Sequence, residues 1–176
     1  IPSQNGKPFK TDESTFFGNP EQSPTETTVR TVGAAIEHQF KNGVMLSNKT
    51  RYADYDKYYQ NVYADSRVST GGTVALAAYH DDTQRQNLFN QTDLLMSATT
   101  GSIKHQLLLG TEFGRQDTEN FRINATVTPS PVPASNPRGV ATFAATRARN
   151  SVSQVDVAAV YVQDQLTFNK QWQMVL

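Results

Sequence analysis

The stretch YADYDKYYQNVYAD, residues 52–65, holds five of the chain's seven tyrosines within twelve positions: Tyr52, Tyr55, Tyr58, Tyr59 and Tyr63. Asp54, Asp56 and Lys57 are interleaved with them, and Arg51 precedes them. The stretch is too polar for a core and too aromatic for an ordinary solvated loop. Tyrosine brings a face for stacking and an O–H for hydrogen bonding, while Arg and Lys bring positive charge. In an extended chain successive side chains point to opposite sides. Arg51, Tyr55, Lys57, Tyr59 and Tyr63 then share one face, and Asp54, Asp56 and Tyr58 share the other. Further cations follow at Arg85, Arg115 and Arg122, and at Arg138, Arg147 and Arg149.

None of this resembles catalytic equipment. His80-Asp81-Asp82 is the one compact cluster of histidine and carboxylates, and strand alternation would split it between two faces. The Ser and His residues show no nucleophile elbow or triad arrangement. The three histidines (His38, His80, His105) are far apart, and the chain has no cysteine, so neither a disulfide framework nor a thiolate metal site exists. No catalytic residue, metal ligand or cofactor is expected. The 16 basic and 16 acidic residues cancel and form no blocks, which removes the electrostatic footprint of a nucleic-acid binder. Hydrophobic residues make up 37% of the chain, below the roughly 45–50% of soluble domains, a figure that also counts glycine.

The elements that must position these residues are strands. Helical periodicity is nearly absent, and period-two alternation runs through six segments, at about 25–40, 44–63, 74–99, 102–123, 152–168 and 172–176. Most are longer than the roughly 5–6 residues of sandwich strands. Short turns (Lys41-Asn42-Gly43, Gly101-Ser102, Asn169-Lys170-Gln171) alternate with long connections at 64–73 and 124–150, and residues 1–24 form a third long loop. Parity tests the turns. Val32, Ile36 and Phe40 must share a face with Val44, Leu46 and Tyr52; even opposite even requires the three-residue loop 41–43, with Gly43 in the left-handed position. Leu94 and Met96 must share a face with Leu107, Leu109 and Phe113; even opposite odd requires two residues, and Gly101-Ser102 suits a type II′ turn. A third hairpin sets Val160, Val162, Leu166 and Phe168 beside Trp172, Met174 and Leu176. Asp164 falls on that apolar face with nothing in the sequence to explain it.

No apolar run approaches the roughly 18 residues of a transmembrane helix. A transmembrane strand, however, needs only about 9–11 residues, apolar outward and polar inward. From Val44 to Tyr52 one face is Val, Leu, Asn, Thr, Tyr and the other is Met45, Ser47, Lys49, Arg51. Gln91 and Asp93, then Gln106, Gly110 and Glu112, continue the polar side. Phe40 and Trp172 near the short turns, with Tyr52 and Phe113 near the opposite rim, would form two aromatic girdles. The expected fold is therefore all-β: antiparallel up-and-down strands forming part of a transmembrane barrel. A soluble antiparallel sheet with one solvated face fits the same periodicity; strand length and the alternation of short turns with long loops favour the barrel.

Several stretches resemble the barrel of TonB-dependent siderophore receptors, in particular the catecholate-type, Fiu-like branch. They are TFFGNPEQSPTETTVRTVGAAIEHQFKNG, VMLSNKTRYADYDKYYQN, QRQNLFNQTDLLMSATTGSIKHQLLLGTEFGRQ and VAAVYVQDQLTFNKQWQMVL. The His105–Gly110 and Tyr161–Phe168 strands are the most specific, and the likeness covers about residues 15–176. It implies a parent barrel of about 22 strands with a plugged lumen, in the bacterial outer membrane, in contact with lipid and lipopolysaccharide. The family's plug domain and TonB box have no counterpart in the chain, so a fragment of a longer receptor is expected, one whose two open edges are not viable alone in lipid.

What such a receptor binds explains the missing metal ligands. A ferric siderophore saturates its iron with its own oxygens, so the protein meets an aromatic, often anionic, complex. The resemblance therefore points to Arg51, Tyr55, Lys57, Tyr59, Tyr63, Arg85, Arg115 and Arg122 as ligand contacts. The same residues would otherwise brace the barrel extension, with tyrosines pairing across strands. A passive porin-like channel and a soluble β-rich binding or adhesin domain are the competing functions.

Overall fold

The computed structural model describes residues 1–176 and contains strands, turns and loops but no helix. Eleven strands follow one another: β1 (Ser3–Gln4), β2 (Lys7–Pro8), β3 (Thr25–Gln39), β4 (Met45–Ala64), β5 (Thr73–Val74), β6 (Leu76–Thr100), β7 (Ile103–Thr128), β8 (Val132–Pro133), β9 (Val140–Phe143), β10 (Arg149–Thr167) and β11 (Gln173–Val175). The main sheet has the order β11-β10-β7-β6-β4-β3, with β9 added to β7; β1 pairs β2, and β5 pairs β8. Chain neighbours are thus sheet neighbours among the long strands, apart from the short insertions. Three places differ from the expectation. The first loop carries the β1–β2 pair, β7 runs on to Thr128, and the proline-rich connection carries strands of its own. Proline permits this because β8 is a two-residue edge piece, where a missing N–H costs no ladder bond in a central strand.

The chain divides into two compact units: Ile1–Thr28, Tyr55–Gln84 and Glu119–Val152 form the first; Val29–Asp54, Arg85–Thr118 and Ser153–Leu176 form the second. The first unit has a hydrophobic core of Phe17, Val62, Val68, Val74, Leu76, Ala78, Val127, Val132, Ala134 and Ala141. Residues of the first loop are bound tightly to it. Gly18 donates its N–H to the Pro137 carbonyl (2.9 Å) and bridges Tyr63. Its φ is +147°, and a Cβ there would stand 1.8 Å from the Val62 carbonyl oxygen, so only glycine fits. The Gln22 amide imitates a strand neighbour: it accepts from the Ala141 N–H (2.8 Å) and donates to the Ala141 carbonyl (3.2 Å).

In the second unit the turns have the lengths that parity requires. The Phe40 N–H donates to the Val44 carbonyl (2.8 Å), and Gly43 has φ +84°. Gly101 has φ +62° between Thr100 and Ile103. Leu166 pairs Met174 and Thr167 pairs Gln173, and the Asn169 carboxamide accepts the Gln171 and Trp172 N–H groups within the loop. The long strands of this unit form one layer with two faces. On one, Tyr161 lies over Gly110, where a Cβ would come within 2.0 Å of its ring, and bonds the Gln91 amide (2.7 Å) and the Asp93 carboxylate. Ser47 and Lys49 each reach the Glu37 carboxylate, at 3.5 and 4.0 Å.

The opposite face is apolar and bare. All but four of the molecule's exposed large apolar side chains belong to this unit, among them Val32, Ile36, Leu109, Val160 and Val162. Two hydrogen-bonded polar groups lie on this face. Asn48 and Asn90 bond each other reciprocally (3.2 Å each way), and their amides also donate to Thr92 and Thr50 respectively (2.7 Å each). Asp164 is explained too: its carboxylate bonds His105 Nδ1 at 2.7 Å across β7 and β10. Alternation places both opposite Tyr161 and Gly110, among Leu107, Leu109 and Leu166.

The amide–hydroxyl group yields a test. Asn90→Ala leaves the Asn48 amide short of partners and should destabilise by about 1–3 kcal/mol. Replacing the whole group (Asn48→Leu, Thr50→Val, Asn90→Leu, Thr92→Val) should cost less than that single change. Unfolding midpoints in lipid micelles compare the two; an Asn90→Ala protein as stable as the parent would refute the arrangement.

Candidate ligand-binding site

In the first unit, β4, β6, β7 and β10 bring a set of aromatic and charged side chains to one face. Tyr59 and Tyr63 come from β4 two turns of alternation apart, and Tyr79 from β6 packs against both, with ring centroids at 6.0 and 5.7 Å. The Arg122 guanidinium from β7 lies 3.9 Å above the Tyr79 ring centroid. Such stacking satisfies a cation that is only partly hydrated. The same guanidinium is held side-on by Asp81: Nε donates to Oδ1 at 3.0 Å and Nη2 to Oδ2 at 2.5 Å. This fork-to-fork geometry is the strong, directional form of the ion pair. A second guanidinium, Arg149 at the start of β10, donates to Asp81 Oδ1 (3.3 Å) and to Asn120 Oδ1 (3.0 Å).

The electrostatics follow from this geometry. Hydrogen bonding by Arg122 holds the Asp81 carboxyl below its ordinary range, against a smaller opposing effect of burial. The same bond raises the Arg122 guanidinium. Burial, then Asp65, raises the Tyr63 phenol, so it keeps its proton and remains a donor at neutral pH. One carboxylate, Asp81, thus faces two guanidiniums. Chemically this face offers stacking surfaces, phenolic donors and a cation not fully matched by its partner. It holds no nucleophile paired with a base.

The other face of the same unit is different. Tyr58, His80, Phe121 and Phe143 form an aromatic group, with His80 5.2 Å from Phe143 and 5.4 Å from Tyr58. His80 Nδ1 bonds Asp82 at 2.9 Å, and Arg147 lies over Phe121 at 4.1 Å. Burial raises the Tyr58 phenol, with Asp82 and Glu26 adding to it. The core residues Val62 and Ala78 share this face by alternation with Tyr58 and His80. The loops therefore pack on the His80 side.

Of the eight residues singled out from sequence, the structure brings Tyr59, Tyr63 and Arg122 together around Tyr79. Tyr55 and Lys57 belong to the same unit; Lys57 is exposed and Tyr55 partly buried. Arg51, Arg85 and Arg115 belong to the second unit. There Arg51 is exposed, Arg85 donates to Thr118 (3.1 Å), and Arg115 is tied to Asp156 at 2.7 Å. Arg115 alternates with Gly114, which contacts Phe89, so it shares the face of Phe113 rather than that of Gly110 and Tyr161. The residues read as girdles, Phe40, Tyr52, Phe113 and Trp172, are all exposed and all in the second unit. Sequence reading missed Tyr79, Asp81 and Asn120 as members of the site. The signal was available, since Tyr79 and Asp81 have the odd parity of the inward Gln91 and Asp93 on the same strand.

Comparison with known proteins places these observations. The family model "TonB dependent receptor-like, beta-barrel" matches residues 2–176. The chain is 26% identical to the metal-pseudopaline receptor CntO of Pseudomonas aeruginosa strain UCBPP-PA14 over 174 residues, 93% of the chain and 23% of that protein. It is 25% identical to the catecholate siderophore receptor Fiu of Escherichia coli K12 over 179 residues, 94% of the chain and 23% of that protein. It thus spans under a quarter of the length of the curated relatives it matches. The open-form crystal structure of Fiu shares the fold with a TM-score of 0.71 at 23% identity, covering 94% of the chain and 27% of Fiu.

The ion-pair geometry predicts a pH dependence. Because the folded-state pKa of Asp81 is depressed, its contribution to stability is complete above the unfolded value of about 4 and is lost as pH falls through the lower folded value. The stability gap between the parent and Asp81→Asn should be constant from neutral pH down to about 5 and close below about 4. Denaturation midpoints across that range measure it; a gap that persists at the lowest pH would contradict the assignment.

Proposed function

Because the chain belongs to the TonB-dependent receptor β-barrel family, we propose that it forms part of the wall of an outer-membrane receptor that takes up ferric siderophores. The observation that carries this reading is the face built by Tyr59, Tyr63, Tyr79, Arg122 and Arg149. A ferric catecholate presents flat aromatic rings and negative charge, and this face presents aromatic planes, phenolic groups and two guanidinium groups that share one carboxylate partner. Iron arrives already coordinated by the chelator, so the protein contributes recognition and no metal ligand. Tyr55 and Lys57 extend the same set along β4. Arg115, paired with Asp156 on the apolar side of its unit, is left out of it.

The second unit supplies the membrane wall. Its apolar face is a single layer of exposed Val, Ile, Leu and aromatic side chains, with Asn48 bonded to Asn90 and His105 to Asp164 among them. Lipid and lipopolysaccharide meet this face, and the polar side with Tyr161, Asp93 and Gln91 looks into the lumen. Energy coupling through TonB would use a plug region, as the family resemblance implies. A second ligand class has a specific basis in the similarity to CntO, a metal-pseudopaline receptor. Both readings describe an importer of chelated metal and no enzyme.

Uptake of radiolabelled iron separates the possibilities. Deleting the gene that encodes this chain should abolish uptake of at least one ferric catecholate, and a protonophore should do the same in the parent strain. Undiminished uptake of every catecholate tested would overturn the subtype, and uptake that survives the protonophore would indicate a passive channel. The chain's single tryptophan reports the membrane placement independently. In lipid vesicles Trp172 emission should be quenched strongly by lipids brominated near the headgroup and weakly at mid-chain. Quenching only by aqueous acrylamide would remove Trp172 from the girdle.

A further inference from the structure

We propose that the two arginines of the tyrosine face have separate roles: Arg149 contacts the ligand's negative charge and sets the preference for anionic chelates, whereas Arg122 positions Tyr79. This rests on the reading of that face as a ferric-chelate site.

Geometry separates the two residues. Arg122 is engaged on three sides, by both oxygens of Asp81 and by the Tyr79 ring beneath it, and its side chain is 30% exposed. Drawing it toward a ligand would break a bidentate ion pair and a cation–π contact together, and would release the Tyr79 ring. Arg149 is engaged through a single nitrogen. Its Nη2 reaches Asp81 Oδ1 at 3.3 Å and the neutral Asn120 carboxamide at 3.0 Å, and its side chain is 52% exposed. The Asp81 oxygen it uses already accepts from Arg122 Nε. Once Asp81 is committed to Arg122, Arg149 is left with about half an anion and one amide. An incoming anionic chelate can therefore recruit Arg149 and leave the Asp81–Arg122–Tyr79 platform whole. The neighbouring acidic group, Asp65, makes no ion pair with Arg149, whose one carboxylate partner is Asp81.

The assignment predicts different signatures for the two residues. In the receptor carrying this chain, purified in detergent, ferric 2,3-dihydroxybenzoate serves as the anionic probe and a neutral ferric trihydroxamate as the comparison. Arg149→Gln should reduce the anionic-over-neutral affinity ratio roughly tenfold, as expected for losing one charge-assisted contact. It should also flatten the salt dependence of anion binding, and Arg149→Lys should restore part of both. Arg122→Gln should weaken both probes together, and Arg122→Lys, which cannot form the fork, should not rescue. A parent-like ratio and salt slope in Arg149→Gln, while the parent binds the catecholate, would overturn the inference alone. If the unaltered receptor binds neither probe, the chelate-site reading fails and the inference with it.

Discussion

A β-strand sends successive side chains to opposite faces, and each division of labour in this chain follows from that two-residue period. In the first unit it separates Tyr59, Tyr63, Tyr79, Asp81 and Arg122 from Tyr58, Val62, Ala78, His80 and Asp82. In the second it separates Tyr161, Gln91, Asp93 and Gly110 from Asn48, Thr92, Leu109 and Asp164. A slip of one residue in β6 would exchange Asp81 for Asp82 and Tyr79 for His80, leaving Arg122 without its carboxylate or its ring. The hairpin turns guard against that slip, because each has the loop length that its flanking parities require. Gly43 and Gly101, with φ of +84° and +62°, make those lengths possible.

On the apolar face of the second unit, polar side chains bond to one another across neighbouring strands. An unbonded amide or carboxylate in hydrocarbon is costly, and the cost falls only when its hydrogen bonds are met within the protein. Asn48 and Asn90 meet the requirement by exchanging reciprocal bonds and adding a threonine each. His105 and Asp164 meet it in part, as a pair that links β7 to β10 through one hydrogen bond and leaves His105 Nε2 and Asp164 Oδ1 without a partner. Both groups join neighbouring strands of the main sheet, so they add side-chain cross-links between strands besides compensating their own polarity.

Much of the fold was legible because the signals that specify it are local. Parity, turn residues and strand length lie within a few positions of one another, and the five long strands, the short β11 and three hairpin loops are legible from them. What was not legible depends on partners distant in sequence. Asp164 looked anomalous beside Leu166 until His105, 59 residues away, came opposite it. Arg115 was read with the other cations because composition does not show which face a charge occupies; Gly114 beside Phe89 settles that. Tyr79 carries little signal in AAYHDD, because its partners Tyr59, Tyr63 and Arg122 lie on other strands. Asp81 was read as part of a His-Asp-Asp run, although alternation already set it apart from His80.

The run of tyrosines that marks β4 therefore acts only through what other strands bring to it. Tyr58 packs beside His80 on the side where the first loop and β9 bury the core, while Tyr59 and Tyr63 meet Tyr79 on the side those loops leave free. The connection that follows β9 links the two sides. It is fixed to β7 where the Ala144 N–H donates to the Asn124 carbonyl (3.0 Å) and the Ala148 N–H donates to the Arg122 carbonyl (2.7 Å). The next residue is Arg149, whose side chain reaches Asp81 and Asn120. Packing on the covered face thus sets the backbone position from which a cation enters the open one. Changes in the 134–148 segment that spare the core should alter the placement of Arg149 before they disturb the tyrosines, because Tyr59, Tyr63 and Tyr79 are held by continuous strands and Arg149 by the end of a loop.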